Sequence, residues 1–251
     1  MLAACAREPE PLPHRLFVPA VVRSASLPGR VPWRTRVTVT NEGDVPSLVR
    51  AFRWPPSDRT LEVSELVVPP RGIAGIPSLV PALPAISSLT VESDRPVRVE
   101  ASVEPRGQEG PPALTVPAIP VGDLARPGDR LLVGTFVSDE ARSSHFAFSY
   151  PWAEHATLPF RVRMELRSPA GTLLARVEKV MPGVPGAVED PWKELALPAG
   201  APFDLEVTFV SSARGREPRL GMWVYGVVNE KATGASRFLP TRVVRGGAAG
   251  G

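Results

Sequence analysis

The sequence predicts an all-β protein built from two tandem immunoglobulin-like β-sandwich domains. Three observations predict it. Short segments alternate polar and apolar residues with period two, as in Arg34-Thr35-Arg36-Val37-Thr38-Val39-Thr40, the pattern of a strand with one face to a core and one to water. The 31 prolines and 21 glycines of the 251 residues are spread between the apolar runs, which multiplies turns and leaves little room for helix. No window repeats apolar residues every 3.6 positions over three or more turns.

Strands are expected in order along the chain. The first covers 16–22 and carries Pro19, which suits an edge or a bulge. The second, 33–40, runs into a turn at Asn41-Glu42-Gly43-Asp44, and the third, 47–54, alternates again. Strands at 61–67, 72–79, 87–92 and 97–103 follow; in the last, Val97, Val99, Ala101 and Val103 are expected inward and Arg98, Glu100, Ser102 and Glu104 outward. Seven short strands with turns at near-regular spacing fit a sandwich, and the absence of a Cys–Trp–Cys core excludes a true antibody-type domain.

The proline- and glycine-rich run 106–112 reads as a linker between a first domain, 14–105, and a second, 113–245. The second opens with Leu114-Thr115-Val116-Pro117-Ala118-Ile119, a near repeat of Leu16-Phe17-Val18-Pro19-Ala20-Val21. Its strands are expected at 131–136, 145–150, 160–167, 173–180, 203–210 and 220–228, with a hairpin turn at Ser168-Pro169-Ala170-Gly171. Residues 246–251 form a flexible tail without apolar content, and 1–13 a tether.

Cys5 is the only cysteine, so no disulfide forms within the chain. Leu2-Ala3-Ala4-Cys5 has the form of a lipobox, in which the cysteine becomes lipid-modified, and the polar, proline-rich 6–13 resembles the tether of such lipoproteins. The four residues before Cys5 carry no basic or apolar leader, so this reading expects one to be encoded upstream of Met1. The implied partner is a membrane, reached through the lipid. No apolar run approaches the ~18 residues of a membrane-spanning helix.

The net charge is +3, with acidic residues interleaved among the arginines and lysine only at 179, 193 and 231. Nucleic-acid proteins gather basic charge on one face, so no nucleic-acid partner is expected. Convergent chemistry is also missing from the pattern, and neither catalytic residues, nor a metal site, nor a cofactor is expected. His14 falls in the tether region, and His145 and His155 have no metal-ligand spacing. Asp139-Glu140 and Glu189-Asp190 read as solvated turn carboxylates. Trp223 and Tyr225 share one strand face and are expected in core or inter-domain packing. Tyr150 and Trp152, flanking a turn proline, are the candidate surface contacts for a ligand.

The segments FVPAVV, WRTRVTVTNEGDVPSLVRAF and GMWVYGVVNEKATGASRFLP resemble a little-characterised family of bacterial exported proteins. Members carry tandem immunoglobulin-like repeats that open with a VPA strand and an aromatic-Arg-Thr strand ending in an Asn-x-Gly turn, and close with a hairpin, here Val228 to Gly234, leading to Phe238-Leu239-Pro240. The resemblance implies export and a β-sandwich, and carries no catalytic motif. The chain departs from it where His145 to Tyr150 replaces the expected Arg-Thr strand and Pro151 to Glu154 the expected turn. The function expected is a non-catalytic, lipid-anchored adhesion, scaffold or binding module of the periplasm or cell surface, with a protein or glycan partner. The alternative is a two-domain periplasmic pilus-type chaperone, with Arg15 as one anchor for a subunit.

Overall fold

The computed structural model describes residues 11–23, 33–53, 62–76, 85–105, 114–149, 151, 160–181, 186–212, 221–233 and 235–246. The chain is all-β. Its first half contributes β1 (His14–Arg23), β2 (Trp33–Thr40), β3 (Ser47–Arg53), β4 (Glu62–Val68), β5 (Ile73–Gly75), β6 (Ala85–Ser93), β7 (Arg98–Pro105), β8 (Leu114–Val116) and β9 (Ile119–Pro120). The second half contributes β10 (Arg130–Phe136), β11 (Arg142–Ser149), β12 (Phe160–Arg167), β13 (Leu173–Met181), β14 (Gly186–Val188), β15 (Phe203–Ser212), β16 (Trp223–Glu230), β17 (Ser236–Leu239) and β18 (Thr241–Val244). One turn of helix, α1 (Pro191–Glu194), precedes β15.

Alternation sets the faces as expected. In β7, Val99, Ala101 and Val103 are buried while Arg98 and Glu100 are exposed, and Val97, just before the strand, is half-buried. In β2, Thr35, Val37 and Val39 turn inward. Asn41 ends β2 and is itself buried: its Nδ2 donates to the carbonyls of Val45 (2.7 Å), Val68 (3.2 Å) and Pro69 (3.2 Å), and its Oδ1 accepts from Gly43 N (3.0 Å).

The expected pair of immunoglobulin-like sandwiches is not what the strands form. In the first half nine strands join one hydrogen-bonded network, in the order β4-β3-β6-β1-β2-β7-β8, with β5 on β2 and β9 on β1. The cause lies in β1. Its pairing with β6 slips between Val18 and Val21, around Pro19, whose missing N–H cannot serve a regular ladder. Beyond that bulge the strand reaches β2, with Arg23 paired to Arg34. Two groups of strands that would have been separate layers are thereby stitched at one corner.

The segment read as one opening strand of the second domain also departs from expectation. It splits at Pro117 into β8 and β9, and both pair with the first half: β8 with β7, and β9 with β1 through Phe17↔Ile119 and Leu16↔Pro120. The linker 106–112 and the tail 247–251 lie outside the described residues.

The second half folds as a five-stranded sheet, β13-β12-β15-β10-β18, and a four-stranded sheet, β14-β11-β16-β17. They face each other across an aromatic core. Phe136 of the first stacks on Phe203 at 4.9 Å and meets Phe146 of the second edge-on at 5.7 Å. Trp192 of α1 closes one end against Phe203, with its indole N–H on Ala201 O at 2.8 Å. Gly226 of β16 makes room for Phe136: a Cβ there would stand 2.6 Å from the ring.

Candidate functional site

Because Gly226, Val224 and Val228 of β16 face the aromatic core, period two sends Trp223, Tyr225 and Val227 to the opposite face of the four-stranded sheet. That outer face is not left to solvent. At its Trp223 end it meets the first half, where Ser149 Oγ donates to Pro19 O at 2.7 Å in a buried contact. Trp223 and Tyr225 are buried, at 8% and 5% exposure. They stand at the junction between the halves, as inter-domain packing requires.

Beside them the junction opens into a cleft of about 420 Å³, walled by Trp223, Tyr225 and Phe238 on one side and by Thr115 and Pro117 on the other, with Pro240 and Thr241 at its end. Tyr225 and Phe238 pack ring to ring at 5.1 Å. Burial pushes the Tyr225 phenol far above its ordinary range, and the Glu189 carboxylate pushes it further. The hydroxyl therefore stays protonated, a neutral donor and acceptor.

Along the same face the cleft gives way to a polar chain. Ser236 Oγ donates to Asn229 Oδ1 at 2.6 Å, which turns the Asn229 amide nitrogen toward Nδ1 of His145 at 3.4 Å. The Asn229 nitrogen can only donate, so His145 accepts at Nδ1 and carries its proton on Nε2. Burial lowers the pKa of His145, and Glu189 opposes this only in part. The imidazole is held neutral. In this order the serine hydroxyl addresses the amide rather than the imidazole, so the trio lacks the nucleophile–base contact of a hydrolytic triad.

The other sequence candidates fall as follows. Cys5, Tyr150, Trp152 and His155 lie outside the described residues. His14 is exposed. Asp139 caps its own turn, accepting from the N–H groups of Ala141 (3.0 Å) and Arg142 (2.7 Å) and from the Arg142 guanidinium. Asp190 is the N-cap of α1, accepting from Lys193 N at 3.2 Å. Asp139 and Asp190 thus do local structural work, and no group of three or more metal-ligating side chains occurs among the described residues. Arg15, the anchor of the chaperone reading, is paired with the buried Glu92 at 2.8 Å. No helix among the described residues is long and apolar enough to cross a membrane.

The cleft itself escaped sequence reasoning for one reason: its far wall, Thr115 and Pro117, comes from the strand assigned to the opening of a separate domain. The aromatic alternation in Trp223-Val224-Tyr225 was the available signal. Comparison of the chain with protein-family models, with characterised proteins and with solved structures finds no match.

Proposed function

We propose that the chain is a non-catalytic binding module of the cell envelope, exported and held to a membrane by a lipid on Cys5, and that the cleft beside Tyr225 receives its partner. The observation that carries this reading is the neutral Tyr225 phenol in the wall of an open aromatic cleft. Ligand sites combine apolar walls with a few placed polar groups, and this one has Tyr225, Thr115 and Thr241 among aromatic rings and prolines. Such a wall favours an extended protein segment over a glycan, whose many hydroxyls would each lose water without gaining a partner.

The test is a panel of extended envelope-protein peptides and of envelope glycans, titrated against the wild-type chain and Thr115→Arg. Thr115 is exposed at the rim, so the longer side chain fills the cleft without touching the core. Peptide binding that disappears in Thr115→Arg supports the reading; binding that survives the substitution removes the cleft from it. Palmitate labelling of the exported chain, lost in Cys5→Ser, tests the anchor separately.

A further inference from the structure

The outer edge of the five-stranded sheet is β13, nine residues long, and among the described residues it pairs only with β12. An open edge of that length presents a row of backbone donors and acceptors to any passing strand, and proteins commonly guard such edges with charge. Here the guard does not exclude the chain itself. We infer that β13 pairs with β13 of a second copy, antiparallel and centred on Val177, to form a two-fold dimer with a continuous ten-stranded sheet.

The charge order carries this. With Val177 on the two-fold axis, Arg176 faces the second copy's Glu178, and Glu178 faces its Arg176. Within one chain, Arg176 already pairs with Glu165 and Glu178 with Arg163, each at 2.8 Å across β12. The side chains of Arg176 and Glu178 nonetheless keep 58% and 48% of their surface exposed, so each can serve a second neighbour. The dimer then contains, twice, the row Arg163, Glu178, Arg176 and Glu165, alternating in sign across four adjacent strands.

The molecule builds such a row elsewhere. Across β1, β6, β3 and β4 the register sets Arg15, Glu92, Arg50 and Glu65 side by side, alternating in the same way, with ion pairs of 2.8 Å and 2.7 Å at its two ends. The same register also sets Val180, 57% exposed, opposite Leu174 of the second copy. The other long edge, β4, differs. It exposes Val63 and Val67, but its only charged residues are Glu62 and Glu65, so no antiparallel self-pairing there gains an ion pair. Cross-strand opposite charges stabilise and like charges directly opposed destabilise, which makes β13 the edge that selects its own copy.

Sedimentation velocity of the full chain, from about 1 to about 200 µM, reads the equilibrium directly. The wild type should dimerise in this range. Arg176→Glu, which opposes carboxylate to carboxylate, and Glu178→Arg, which opposes guanidinium to guanidinium, should each weaken the dimer about tenfold or more. An equimolar mixture of the two should dimerise again, because every cross-copy contact then joins opposite charges. Val180→Asp, at an exposed position that leaves both internal ion pairs intact, should weaken the dimer without altering the fold, checked by far-UV circular dichroism. A wild type that stays monomeric overturns the inference. So does a dimer indifferent to all three substitutions, or a pair of monomeric variants that fail to combine.

Discussion

Arg245 Nη1 lies 2.8 Å from Oδ2 of Asp129, although the two residues are 116 positions apart. The same carboxylate accepts from Arg126 N (2.9 Å) and Gly246 N (2.8 Å), while Arg245 also donates to the carbonyls of Leu124 and Gly122. One side chain thus fastens the end of β18 to the turn that leads into β10.

Asp129→Ala should cost about 2 kcal/mol, the loss of charge-assisted bonds to three donors, measured by urea denaturation. Burial raises the pKa of Asp129, but the bonds from Arg126, Arg245 and Gly246 outweigh it and the net shift is downward from 3.8. A carboxyl with a lowered pKa in the fold contributes stability above the unfolded value and loses it as pH falls through the folded one. Between pH 4 and about pH 2 the wild type should therefore lose stability more steeply than Asp129→Asn. Parallel curves would show that the carboxylate does not tie the chain.

His145 gives a second pH dependence at a different pH. Its pKa is lowered in the fold, so below the unfolded value of 6.5 the unfolded chain takes up a proton that the native one refuses. Stability should fall as pH drops below 6.5, and His145→Gln should flatten the melting temperature between pH 7.5 and 5.5. An unchanged slope in the variant would rule out burial of the ring as the source of this pH dependence.

Asn41→Ala should destabilise by about 2 kcal/mol, since three carbonyls lose a shared donor in a buried turn. Asn41→Asp, which keeps the bond from Gly43 but offers those carbonyls an acceptor, should be at least as damaging. Chemical denaturation midpoints decide between this and a turn held mainly by backbone geometry, in which Asn41→Asp would be mild.

Gly226→Ala places a methyl carbon against Phe136 and should cost about 1–3 kcal/mol through overpacking. Phe136→Leu in the same chain should recover part of that loss, a coupling read from a double-mutant cycle. Simple additivity would show that the glycine serves another purpose.

The period of the chain was plainly legible, and its long-range pairing was not. Strand β2 occupies 33–40 as the alternation predicts, and Val99, Ala101 and Val103 are inward because a two-residue repeat leaves no other arrangement once one face is buried. The helix α1 was missed although Asp190-Pro191 is a cap followed by a first-turn proline, because four residues cannot display a helical repeat. Which strand lies beside which depends on loop paths and on the bend at Pro19, and no local pattern records either. The contact of His145 with Asn229 likewise joins residues 84 positions apart.

Strands β8 and β9 lie past the proline-rich run yet finish the sheet of the preceding half. A fragment ending at residue 105 would be born with β7 and β1 bare along the flanks they now cover, and one starting at residue 121 would leave the Trp223 cleft without its opposite wall. The two halves are therefore poor cassettes: exchanging the first against a homologue would require carrying residues 114–120 along with it.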